Sequence, residues 1–290
     1  LERFGKNREH SENQIALAAS QGKTPPQEVF RAFVRTTPEW LARQEAMRVV
    51  VLPRLVVRGQ HLGLETGQRF TVIEASGFTL YQQFLDGGAA AIEPQLQQLE
   101  DIGFNTVRVF GMYDNAPNPA PTDPGRGGIG RFRPQDYGDR YWAGLLDFFQ
   151  RLARHRLYGE FVVFADTTVI LPTKAAQLQH WETLLQAFAG HALSPPSNLL
   201  LEAVNEEDQT INRFAAIQEL PRPPRPFVAS HGSNGSQAIP VQPFWDYVTF
   251  HTNDAFEETR KVAHNCWEIW PGPCVTNETT RDGKGAWFAH

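Results

Sequence analysis

From about residue 61 onward the chain alternates between two hydrophobic rhythms. Short runs that are β-branched or apolar throughout are separated by longer stretches in which apolar residues recur every third or fourth position, the pattern of strands alternating with helices. Strands are predicted at Thr106–Phe110, Phe161–Ala165, Leu199–Val204, Pro226–Ser230, Tyr247–Phe250 and Pro273–Thr276. Helices are predicted at Ile92–Ile102, Tyr141–His155, Lys174–Ala189 and Asp254–Trp267. Strand cores such as FVVFA and NLLLEAV are nearly all apolar, as parallel strands covered on both faces must be. The alternation therefore predicts parallel βα units.

The N-terminal part is different. Two apolar runs around Glu65-Thr66-Gly67-Gln68, within His61–Phe78, predict a hairpin whose second arm leads into the first barrel strand. Arg48–Val57 is strand-like on both sides of Pro53, which makes it an edge or bent strand. Ser11–Ser20 and Pro26–Val34 have helical spacing, and Thr37-Pro38-Glu39-Trp40 looks like a helix start. The expected organisation is a helix-rich extension over 1–60 and a (β/α) barrel over 61–290.

The predicted strands turn polar at their ends. Arg108, Asp166, Asn205-Glu206, His231, His251 and Asn277-Glu278 all stand at or just past a C-terminal strand end. In a barrel those ends converge on one mouth. A Pro- and Gly-rich loop from Asn115 to Tyr137 is long enough to overhang that mouth, whereas the stiff Pro221–Pro226 segment reads as a connector.

Composition narrows the class of partner. With 41% hydrophobic residues, 20% charged residues and a net charge of -5, the chain should fold, and nothing in its charge invites nucleic acid or an anionic membrane. No run is long enough for a membrane helix, so the chain reads as soluble; it starts at Leu1 with no signal-like segment after it, as a processed or trimmed product would, and its localisation, secretion included, stays open. The 20 Phe and 7 Trp suit core packing and also the apolar faces of sugar rings. Cys266 and Cys274 could bridge or remain two buried thiols. Asn234-Gly235-Ser236 and Asn277-Glu278-Thr279 match the glycosylation pattern, a short and unselective one. No HExxH, Cys/His cluster, Gly-x-Ser-x-Gly elbow or Walker-type loop occurs, so neither metal nor cofactor is expected.

Two strand ends carry an Asn-Glu pair: Asn205-Glu206 after an apolar run and Asn277-Glu278 after another. Two carboxylates at one mouth are the minimum equipment for cleaving a glycosidic bond. On these residues the chain resembles the clan of retaining (β/α)8-barrel glycoside hydrolases, with its cellulase, mannanase and β-galactosidase-like families. The resemblance covers roughly 60–290 and implies a (β/α)8 TIM barrel and an oligosaccharide or polysaccharide substrate.

The resemblance also implies roles. Glu206, preceded by Asn205 at the end of strand four, would be the acid/base, and Glu278 at the end of strand seven the nucleophile. Arg108, in Asn105-Thr106-Val107-Arg108-Val109-Phe110, would brace Glu278 and keep it a carboxylate, and His251 would hydrogen-bond the nucleophile region. His231 and Trp287 complete the substrate-binding candidates. Asp166 and Glu207 lie near the mouth without an assigned role. The implied chemistry is double displacement: Glu278 attacks the anomeric carbon while Glu206 protonates the departing oxygen, then activates water.

The spacing departs from an even barrel. Arg108 to Glu206 spans 206 − 108 = 98 residues, but Glu206 to Glu278 only 278 − 206 = 72, and 290 − 278 = 12 residues follow. That is too few for a helix, an eighth strand and its helix, so the barrel is expected to lack its last strand–helix unit in this chain, unless Arg48–Val57 fills the gap. A barrel-derived carbohydrate-binding or scaffolding protein is the alternative function.

Overall fold

The computed structural model describes residues 49–115, 130–189, 195–206, 219–232, 245–251, 264–266, 268 and 270–278. Asn115 and Glu278 are described by backbone alone. The chain divides into two units, Leu1–Val50 and Val51–His290. The expected helices before residue 49 lie outside the described residues, as does most of Asp254–Trp267.

Five strands form a parallel sheet: β4 (Glu74–Ser76), β5 (Thr106–Phe110), β8 (Tyr158–Phe164), β9 (Leu199–Val204) and β10 (Ala229–Ser230), hydrogen-bonded in that order. A parallel bridge from Ser230 to Tyr247 carries the succession on to β11 (Val248–His251), which pairs in parallel with β12 (Cys274–Glu278). Seven successive parallel strands are thus found among the described residues, and β12 lies beside β4. Asn205-Glu206 follows the fourth of them and Asn277-Glu278 ends the seventh.

Helices cover the outer face. Asp139–Arg154 turns Tyr141, Leu145, Phe148, Phe149 and Leu152 inward at helical spacing, with Asp139 in its first turn and Arg151 and Arg154 in its last, the charge order its dipole favours. Lys174–Ala189 buries Trp181, Leu184 and Phe188. Ala89–Ile102 buries Ile92 and Leu96 and ends on Gly103, whose φ of 97° suits a residue without a Cβ. A helix at Leu80–Gly87, absent from the sequence expectation, packs beside it. These faces meet the outward residues Val107, Val109, Phe161, Val163, Leu201 and Ala203 in one buried cluster.

The opposite end of the barrel is plugged. β1 (Leu55–Arg58), β2 (His61–Leu64) and β3 (Arg69–Phe70) form an antiparallel meander whose turn falls at 65–68, as the hairpin pattern predicted. Leu55, Leu62 and Phe70 pack on Tyr158, Leu200, Val228 and Tyr247, which stand near the N-terminal ends of the barrel strands. Each fully buried apolar side chain there contributes about 1.5–3 kcal/mol. β1 is the edge strand that Pro53 foretold, but it does not fill the gap after strand seven, because its partner is β2. The pairing also crosses the boundary expected at residue 60.

Side-chain amides fasten the same end. Asn105 accepts from the Ile73 N–H at 2.9 Å and donates to the Thr71 carbonyl at 2.7 Å. Asn198 donates to the carbonyls of Phe149 and Leu157, both at 3.0 Å. A disulfide joins Cys266 to Cys274, the first residue of β12, which settles the open question about the two cysteines.

Gly159 marks a tight contact between sheet and helix. A Cβ there would fall 2.6 Å from Phe149 Cε1 and 2.7 Å from Leu152 Cδ1. Gly159→Ala is therefore expected to destabilise the fold by about 1–3 kcal/mol, seen as a lower urea midpoint at unchanged m-value. An unchanged midpoint would show that Asp139–Arg154 is not seated as described.

Candidate active site

The barrel interior above the plug is polar, contrary to the apolar strand cores expected from sequence. Arg108 is fully buried, and its guanidinium forks onto Glu202, with Nε to Oε2 and Nη2 to Oε1 both at 2.9 Å. Nη2 also donates to Asn205 Oδ1 at 2.8 Å. The guanidinium lies over the Phe110 ring at 5.1 Å, and Phe110 stacks on Phe78. Glu160 Oε2 stands 3.8 Å from Arg108 Nε.

Asn277 enters the same layer through a bulge. β11 and β12 pair Phe250 with Thr276 and then His251 with Glu278, leaving Asn277 as the extra residue. Bulges of this kind re-aim a side chain. Asn277 Nδ2 donates to Glu160 Oε2 at 2.9 Å and to Glu202 Oε2 at 2.7 Å. Glu160 Oε1 accepts from the Tyr247 hydroxyl at 2.7 Å. The amide nitrogen of the Asn277-Glu278-Thr279 sequon is thus buried and engaged.

Three carboxyls share this layer with one guanidinium. Glu74, on the first strand, has both carboxyl oxygens buried without a hydrogen bond of good geometry among the described residues. Burial, followed by the charge of Glu160, lifts Glu74 well above the usual carboxylate range. Burial and then the charge of Glu202 lift Glu160, although Arg108, Asn277 and Tyr247 oppose the rise. The Tyr247 hydroxyl is also pushed well up by burial and by Glu160, so it serves as a donor.

At the mouth, His251 Nδ1 lies 2.9 Å from Glu206 Oε1. His251 is also the Cα partner of Glu278, so one histidine meets the Glu206 carboxyl through its ring and Glu278 through the backbone register. Glu206 has φ 45° and Asp166 φ 50°. Left-handed backbone is uncommon for residues other than glycine, and such strain gathers at functional sites. Asp166 accepts from the Asp114 N–H at 2.8 Å, and its pKa is raised by burial and by the charges of Asp114 and Glu206. Asp114, in the ribbon of β6 (Tyr113–Asn115) and β7 (Gly130–Phe132), is gripped by Arg131 and Arg133. The ends of the Pro- and Gly-rich loop are therefore built structure, while 116–129 lie outside the described residues.

The structure brings together Arg108, Asn205, Glu206 and His251 among the residues singled out from sequence. It places His251 against Glu206, where the resemblance implied a partner in the nucleophile region. His231 is buried edge-on to Trp245 at the end of the fifth strand. Trp287, Glu207 and the Glu278 side chain lie outside the described residues. Sequence reading missed Glu74, Glu160, Glu202 and Tyr247. A single carboxylate inside an otherwise apolar strand run was the available signal, since such a group needs a buried partner. Among the described residues there is no group of three or more His, Cys, Asp and Glu suited to a metal ion, and no helix long and apolar enough to cross a membrane.

No protein-family model matches the chain, and no curated protein does either. Solved structures do. A glycoside hydrolase superposes with TM-score 0.56 at 15% identity over 79% of this chain and 56% of its own length. A family 5 glycoside hydrolase from Bacteroides vulgatus gives 0.57 at 15%, over 81% and 56%. A family 5 mannosidase from Rhizomucor miehei gives 0.51 at 12%, over 80% and 74%. At such identities the likeness is one of fold: the chain is an α/β protein built like these glycoside hydrolase barrels, and it spans just over half the length of the first two.

The buried acids make stability depend on pH. The folded state holds protons on Glu74 and Glu160 that the unfolded chain releases above the ordinary value of 4.5. Their contribution is complete below about 4.5 and is lost as pH rises through the elevated folded values. The urea midpoint is accordingly expected to fall between pH 5 and pH 8. Glu74→Gln should flatten that fall and exceed the wild type at pH 8; parallel profiles for the two proteins would refute the assignment.

Proposed function

We propose that this chain is the catalytic barrel of a glycoside hydrolase that cleaves β-glycosidic bonds with retention of configuration. The observation that carries the reading is positional: Asn205-Glu206 follows the fourth parallel strand and Asn277-Glu278 ends the seventh, with His251 beside both. The shared fold with structures named glycoside hydrolases supports it. In this reading Glu278 attacks the anomeric carbon from one side. Glu206, held by His251, gives its proton to the leaving oxygen and then takes one from water.

Arg108 reaches the pair through Asn205, and the mouth supplies Asp166 and His231 to meet sugar hydroxyls. The substrate is an oligosaccharide or polysaccharide. β-Mannosides head the panel to be tried, because the Rhizomucor miehei structure is named a mannosidase. The disulfide suits an oxidising compartment, and hence secretion.

Hydrolysis of a panel of aryl β-glycosides and β-glycans, with the product anomer followed by NMR, tests the reading. Glu206→Gln should slow hydrolysis roughly 10²–10⁴-fold, and Glu278→Gln should abolish it, with circular dichroism unchanged in both. Wild-type-like turnover in either variant would sink the assignment. Sugar binding without any turnover by the wild type would instead favour a non-catalytic carbohydrate-binding barrel.

A further inference from the structure

We infer that Glu160 and Glu202 clamp the Asn277 amide, and that Glu160 is through this clamp a positioning residue for Glu278. The kinetic consequence rests on the function proposed above; the clamp itself does not.

Asn277 is the bulged residue of β12, so the strand register does not fix it. Its amide is fixed by two carboxyl groups from the third and fourth barrel strands, at 2.9 and 2.7 Å. Each carboxyl group is held in turn. Tyr247, just before the sixth strand, secures Glu160 at 2.7 Å, and Arg108 on the second secures Glu202 through its fork. The same guanidinium holds Asn205 at 2.8 Å. An unbroken buried path of hydrogen bonds therefore joins the residue before Glu206 to the residue before Glu278. Retaining hydrolysis needs its two carboxyl groups about 5–5.5 Å apart, and this path is what ties the two strand ends to each other.

The choice of substitution separates positioning from bulk stability. In Glu160→Gln the amide oxygen can accept from Asn277, and its NH₂ can donate to the Tyr247 oxygen while that hydroxyl turns to the Leu201 carbonyl, already 3.1 Å away. Glu160→Leu leaves Asn277 with one anchor. Asn198→Ala, at the plugged end, is a control for stability loss remote from the mouth.

On the best substrate of the wild type, Glu160→Gln should keep kcat within about threefold, while Glu160→Leu should lower kcat about ten- to a hundredfold with KM little changed. In ¹⁵N-resolved NMR the Asn277 side-chain amide should exchange slowly with solvent in wild type and Glu160→Gln, and rapidly in Glu160→Leu. A Glu160→Leu kcat no lower than that of Asn198→Ala would overturn the positioning role. If the wild type hydrolyses nothing, the functional reading fails, and the amide signal decides the clamp alone: fast exchange in the wild type, or no change in Glu160→Leu, would overturn it.

Discussion

One positive charge buried among three carboxyls is the constraint around which this barrel is organised. Arg108 has no exposed surface, and a guanidinium taken out of water is tolerated only where hydrogen bonds replace its hydration. Glu202 supplies two of them and Asn205 a third. The remaining acids, Glu74 and Glu160, cannot all be balanced by a single cation, so they keep protons to higher pH than free carboxyls do. Geometry follows from this electrostatic problem. Strands one, two, three, four and seven, together with Tyr247 beside the sixth, each contribute one member to the same layer, and, Glu74 aside, none can shift without stranding a buried polar group.

The two ends of the barrel divide the labour. At the N-terminal end the meander, Asn105 and Asn198 close the bottom with apolar contacts and amide-to-backbone bonds. At the C-terminal end the chain spends stability instead, holding Glu206 and Asp166 in left-handed backbone and burying the Asp166 carboxyl beside the charges of Asp114 and Glu206. The polar layer joins the two. It rests on the plug below, and its two asparagines immediately precede the strand-end glutamates above.

Much of this was legible along the chain, and the rest failed for identifiable reasons. Thr106–Phe110, Lys174–Ala189 and Leu199–Val204 fall where their hydrophobic rhythms put them, because each buries a continuous face and period alone identifies it. The helix Leu80–Gly87 was obscured because only Gly88 separates it from the next helix and no side-chain cap marks its start. Asn205 and the two glutamates stood at strand ends and could be found there, whereas Arg108, expected at a strand end, lies in the middle of Thr106–Phe110 and faces the buried layer. Glu202 gave only the signal of one acid in an apolar run, which does not name its partner 94 residues away in sequence and is easily read as a solvent-facing position. Glu160 was hidden by the same effect at a strand start. The bulge at Asn277 belongs to the pairing of two strands and has no signature in either one alone.

The buried amide of Asn277 carries a consequence for how the chain must be made. Its nitrogen is the atom that the Asn277-Glu278-Thr279 sequon would offer to a glycosyl-transfer enzyme, and it is also the donor shared by Glu160 and Glu202. A glycan on that nitrogen would leave it one hydrogen for two acceptors and would have no room in a layer closed to solvent. Folding and modification therefore compete for a single atom in any secretory pathway that glycosylates nascent chains. The order in which β12 docks and the sequon passes the enzyme decides whether a molecule matures into the barrel described here or is excluded from it.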